Sequence, residues 1–242
     1  MPFTAREYAL LYASFAKQIL LSKQPNSFDI LKSCTRRYGF ERGMRMARRA
    51  QLAGDGNDFI AFLAYTDWRP AAYSGFEAQV VPVFPVYTVE ISSCEWHDTW
   101  KDFGLEDYCR AYCQVFEASL VQGFNLDLDL KLPRTIGTGN HSCVFVYNGL
   151  SFSLKNLRRL SALQDKLGSS CVYSWEFLSA HMYNTMGQEL IRILGNEQGS
   201  ELVKIVLQHF GSCCSPDEVR TLLGYEGTDF LNIERSTTLY KR

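Results

Sequence analysis

Between Leu126 and Leu132 leucine alternates with charged side chains, Leu126-Asp127-Leu128-Asp129-Leu130-Lys131-Leu132. Successive side chains of an extended strand point to opposite faces, so a period of two makes one apolar face and one wet face, whereas a helix would scatter these leucines around its axis. Gly137-Thr138-Gly139-Asn140 supplies turn residues, and Cys143, Phe145 and Tyr147 then alternate in a return segment. The spacing predicts an antiparallel hairpin. A hairpin alone is at best marginally stable in water, so the rest of the chain must cover its apolar face. That rest reads almost entirely as helix, which makes the expected class α+β: N-terminal helices, a small antiparallel sheet with packed helices, then an all-helical C-terminal unit.

Glu7 to Leu21 and Phe28 to Ala50 carry apolar residues at helical spacing, the second after Asn26 and Ser27, either of which can cap it. Phe59, Phe62, Leu63 and Tyr65 predict a short helix ending near Arg69-Pro70. Val80 to Ile91 is β-branched and aromatic, interrupted by Pro82 and Pro85, so a strand is expected at Val86 to Ile91, at an edge or starting late. Glu95 to Phe103 reads as a short helix broken at Gly104, and Leu105 to Gln122 as a long amphipathic one ended by Gly123. Past Asn148-Gly149 the pattern predicts helices at Leu154 to Leu167, Trp175 to Leu194, Glu201 to Phe210 and Pro216 to Leu223. Two units are expected, an α+β domain over residues 1–150 and a helical one over 151–242. Asp29 to Gly39 is similar to Glu201 to Gly211 at one constant offset, so the second unit reads as a degenerate half-repeat of the N-terminal helices, or as chance likeness between two amphipathic helices.

With 46% hydrophobic and 21% charged residues, the 242-residue chain can bury a full core. Its formal net charge of -1 offers no basic field for phosphate backbones, so nucleic acid is not an expected partner. The best apolar stretch, Tyr8 to Leu21, is interrupted by Lys17 and Gln18 and falls short of a bilayer span, so no membrane partner is expected either. It also lacks a small-residue cleavage site, and the expected location is cytoplasmic. Eight cysteines without a compact framework are expected to be mostly free thiols.

No phosphate-cradling glycine loop, zinc-protease helix or nucleophile elbow is present. What remains is a set of thiols, carboxylates and arginines. Cys109, Cys113 and Glu117 lie four apart on an expected helix, so they share a face, and a thiolate there is a candidate nucleophile or metal ligand. The competing reading is structural, because Phe116 and Leu120 extend the same face and free cysteine buries readily. Cys94, His97, His141 and Cys143 are residue types zinc prefers, yet no pair has CxxC spacing; no cofactor is expected, with zinc as the alternative. Arg42, Arg45 and Arg49 follow one helical face, either as a clamp for a substrate carboxylate or as a solvated basic face.

An ordered series of short pieces carries a family resemblance: Tyr38-Gly39, Arg42-Gly43, Arg45-Met46-Ala47 and Gly54; Cys94 with Trp100; Tyr112-Cys113 and Gly123-Phe124-Asn125; Gly139-Asn140 with Cys143 and Phe145. In this order the chain resembles the L-2-amino-thiazoline-4-carboxylic acid hydrolases over about residues 28 to 148. Departures fall at Glu95, Glu117 and Asn140, where members often have proline, aspartate and aspartate; Glu117 keeps the carboxylate and Asn140 loses one. The glycine turn and its cysteine are also similar to ligand-sensing domains related to vinyl reductases, of whose metal ligands only Cys113 and Cys143 have counterparts. The resemblance implies a cytosolic hydrolase of cysteine metabolism that acts on a non-peptide carbon–nitrogen bond, opening a cyclic amidine or isothiourea such as 2-amino-thiazoline-4-carboxylate to a carbamoyl-cysteine. Cys113 is then the expected nucleophile and Glu117 the proton-moving carboxylate, with Cys94 and Cys143 the next catalytic candidates and Arg42, Arg45, His97 and His141 the substrate-binding ones. The expected partner is a small-molecule substrate, with a homodimer allowed for. The alternatives are a diverged member acting on another small substrate in secondary metabolism, and a non-catalytic small-molecule or metal-binding sensor.

Overall fold

The structure is a computed structural model that describes residues 3–69, 76–81 and 85–232. Pro70 and Pro82, expected to end a helix and to interrupt a strand, lie outside the described residues.

Helix α1 (Ala5–Leu21) opens with a capping box between Thr4 and Glu7. Tyr8 through Ala13 are all fully buried, so this helix is enclosed on every side rather than presenting one stripe. Helix α2 (Ser27–Ala53) follows Asn26, whose side chain makes no capping bond, and ends at Gly54 in the left-handed region. After α3 (Phe59–Ala64), strands β1 (Glu77–Val81) and β2 (Val86–Ser93) lead into α4 (Glu95–Asp102) and α5 (Arg110–Phe124). Strands β3 (Asp129–Arg134) and β4 (Cys143–Ser151) complete an antiparallel sheet of order β1-β2-β4-β3.

Helix α5 packs against both α2 and β3. Its approach to α2 is set by glycine: a Cβ on Gly43 would run into the Leu120 carbonyl oxygen, and one on Gly123 into that of Phe40. Gly123 therefore does not end α5, as the sequence suggests, but lies within its last turn as a contact point between two backbones. Four helices follow: α6 (Leu154–Leu167), α7 (Trp175–Leu194), α8 (Asn196–Cys213) and α9 (Pro216–Leu223). Helix α7 packs on α1, α2 and α8, and the Tyr38 hydroxyl donates to the Leu178 carbonyl at 2.9 Å. One continuous core runs from Phe3 to Phe230, so side chains on both sides of residue 150 share it.

The hairpin and the C-terminal helices fall where the periodicity put them, with α8 longer at both ends. Two further local expectations are corrected, and the alternatives left open for β2 are decided. Residues 126–128 form a turn and only Asp129 onward is strand, with Leu126 exposed. The predicted helix over Leu105 to Gln122 is a 3-10 turn (Glu106–Tyr108) followed by α5, the break falling at Cys109. Strand β2 starts late, after Pro85, but is not at an edge, because the exposed strand β1 pairs with its outer side.

Candidate active site

The sheet, α4 and α5 converge on a cavity of about 60 Å³. Alternation along β4 turns Cys143 and Phe145 to the same face, and both line the cavity. From α5 come Tyr112, Cys113 and Glu117, the last two one helical turn apart. Cys94 caps the N-terminus of α4, which adds Trp96 and Trp100 at the same four-residue spacing. Trp68 and Phe76 close the aromatic wall, Trp68 meeting Trp96 edge-on at 4.7 Å between ring centroids.

Backbone N–H groups attend the sulfurs. Ile136 donates to Cys143 Sγ at 3.2 Å. The N–H of Gly137 turns toward the Cys113 sulfur, which lies so close that a Cβ at position 137 would collide with it. The N–H groups of His97 and Trp96 play the same part for Cys94. Burial nevertheless dominates: it pushes the Cys94 thiol up to about 12, Cys113 further still, and Cys143 up as well. All three are thiols, not thiolates, at neutral pH.

Glu117 differs from Asp67, the buried acid nearby. Part of its surface opens on the cavity while protein packs the rest. Among the described residues no hydrogen bond or ion pair reaches its carboxyl group, and burial raises it to about 7 against the opposing pull of Arg42. It can therefore carry a proton at neutral pH or release one.

Cys94, Cys113, Cys143 and Glu117, the four catalytic candidates, all line this one cavity. The remaining candidates lie elsewhere. Cys109 is buried at the start of α5 and does not line the cavity; His97 is half-buried on α4, and His141 is exposed beyond the glycine turn. Arg42 and Arg45 are each about 1% exposed, so for them the solvated basic face is ruled out. They share Asp67: Arg42 donates to it through Nη2 and, at 3.2 Å, through Nε, and Arg45 Nη2 donates at 2.7 Å. Burial pushes the Asp67 carboxyl up, but the two guanidiniums outweigh it and hold it below the usual range. Arg45 Nη1 also donates to His181 Nδ1 at 2.9 Å, leaving Nε2 to donate to Glu41 at 3.1 Å. Arg42 Nη1 donates to the Tyr8 hydroxyl at 3.1 Å, which meets the Tyr112 hydroxyl at 3.0 Å, so a hydrogen-bonded chain joins this cluster to the cavity wall. Asp67, Trp68 and Trp96 carry this arrangement without any periodic or motif signal in the sequence.

Among the described residues no group of three His, Cys, Asp or Glu side chains is arranged to hold a metal ion, and no helix is long and apolar enough to cross a membrane. All eight cysteines are free. No curated protein and no solved structure matches the chain. The family model of the L-2-amino-thiazoline-4-carboxylic acid hydrolases matches residues 3–147, which extends the likeness through α1 and encloses every residue that lines the cavity. Sequence and match together place this chain in the L-2-amino-thiazoline-4-carboxylic acid hydrolase family.

Proposed function

We propose that the chain is a hydrolase that opens a small cyclic amidine or isothiourea, with Glu117 as the group that moves protons. The observation that carries this reading is the unpaired Glu117 carboxyl in a thiol- and aromatic-lined cavity. A volume of about 60 Å³ is far below that of ordinary ligand sites and too small for a peptide or nucleotide. A carboxyl held near pH 7 takes a proton from water and returns it in a later step, the pattern general acid–base catalysis requires.

Water adds to the protonated amidine carbon, the amidinium, as Glu117 accepts one of its protons. The tetrahedral intermediate collapses to a carbonyl, its hydroxyl proton leaving to solvent, as the bond from that carbon to the ring sulfur breaks rather than a carbon–nitrogen bond, and Glu117 returns the proton it took from water to the departing thiolate. With a 4-carboxylate on the ring the product is a carbamoyl-cysteine, which connects the reaction to cysteine metabolism. This route needs no enzyme thiolate. The raised Cys113 thiol fits a wall position beside the reacting carbon better than the nucleophile role, and Cys94 and Cys143 share its environment. Eight free thiols suit a reducing compartment, which favours the cytoplasm.

The test is turnover of 2-amino-thiazoline and its 4-carboxylate by the purified protein, read as carbamoyl product by mass spectrometry. Turnover of at least one ring is expected, reduced about 10²- to 10⁴-fold in Glu117→Gln. Glu117→Gln turnover equal to that of the unaltered protein contradicts the assignment, and binding of a ring without product favours a sensor.

A further inference from the structure

We infer that the cavity selects cyclic amidines that bear no carboxylate, binding the amidinium between its tryptophans and Glu117 and disfavouring the 4-carboxylate substrate. This rests on the hydrolase reading and narrows its substrate class.

The charge inventory of the cavity is one-sided. Among the described residues no Lys, Arg or His lines it. Arg42, whose charge is felt at Glu117, has Nε and Nη2 on Asp67 and Nη1 on Tyr8 and Tyr38. Arg45 donates through Nη1 and Nη2 to Asp67, His181 and the Phe230 carbonyl and does not line the cavity. The backbone donors of the glycine turn face Cys113 and Cys143. A substrate carboxylate would thus enter a nearly dry space beside another carboxylate with no cation to meet it, an arrangement that costs several kcal/mol in buried sites.

A cation meets the opposite conditions. Trp68, Trp96 and Phe76 present mutually edge-on rings, with centroids 4.7 to 5.9 Å apart, as an aromatic wall. Such walls attract amidinium-like charge through their ring faces. Among the described residues Glu117 supplies the only carboxylate in the lining, and forming the ion pair favours its ionised state, which readies it to accept a proton from water. The buried indole N–H of Trp96 has no partner among the described residues, so one neutral donor remains for the ring's heteroatom or the developing carbonyl.

The experiment compares kcat/KM for 2-amino-thiazoline, its 4-carboxamide and its 4-carboxylate, with binding followed in parallel by tryptophan fluorescence. The expected result is a preference of about 10- to 100-fold for the two uncarboxylated rings, in turnover and in binding. Leu132→Arg, which adds a cation to the wall, is expected to narrow that ratio. Equal or better use of the 4-carboxylate overturns this inference and leaves the hydrolase reading in place. Binding with the predicted preference but no turnover overturns the hydrolase reading and upholds the ligand class; neither binding nor turnover of any ring overturns both.

Discussion

Two acids some fifty residues apart in sequence, one fully buried and one half-buried, show what partners do to a carboxylate. Asp67 is about 1% exposed and accepts from two guanidiniums, while Glu117 accepts from nothing among the described residues. Both are desolvated, yet one is held below the usual carboxylate range and the other is lifted to about 7. The paired acid is locked in its charged state and fixes α2 against the segment after α3, so it serves the framework. The unpaired acid is poised between states, which is of use only where protons move. Arg42 and Arg45 sit with the first acid, and neither lines the cavity that holds the second.

Breaking the pair should have the largest effect. Asp67→Asn leaves two buried guanidiniums without a counter-charge, and a loss of about 3–5 kcal/mol is expected in urea unfolding. A loss below about 1 kcal/mol would mean that water reaches the arginines. Glu117→Gln should do the reverse. Because the folded protein holds this proton up to about pH 7 while the unfolded chain releases it near 4.5, the wild type loses stability as pH rises through that window. The variant should therefore gain on the order of 2–3 kcal/mol over the wild type at pH 8, and nothing at pH 4. An equal difference at both pH values would contradict the raised carboxyl.

Gly43→Ala tests the frame that carries both acids, since its methyl group meets the α5 backbone at the Leu120 carbonyl. A loss of about 1–3 kcal/mol in thermal unfolding is expected, because helix backbones give way less than side chains. The smallest effect is predicted for Cys113→Ala. Without a nucleophilic thiol, turnover should fall by less than about 10-fold, near 1.4 kcal/mol of barrier. A loss matching that of Glu117→Gln would restore covalent catalysis by Cys113.

Single-faced patterns were the legible part of the sequence. The alternation of Cys143, Phe145 and Tyr147 survives intact in β4, and Cys113 and Glu117 share a face because helix geometry requires it. Strand β1 was missed because it is mostly exposed and has no buried face to alternate with. Leu126 misled because alternation states what a strand would bury, and a turn exposed that leucine instead. The break at Cys109 is invisible to periodicity, since one 3-10 turn shifts the phase of an apolar stripe only slightly. The Asp67 cluster was out of reach for another reason: its arginines lie 25 and 22 residues away, and no local pattern pairs side chains across such a separation.

The central claim is that Glu117 is a half-buried acid to which no hydrogen bond or ion pair reaches among the described residues. Its most direct test is a pH titration of that carboxyl in the intact protein, read as the infrared carboxyl band that disappears in Glu117→Gln. A midpoint near 7 is the result expected here. A midpoint at or below the ordinary 4.5 would show a partnered or solvated carboxylate and contradict the account.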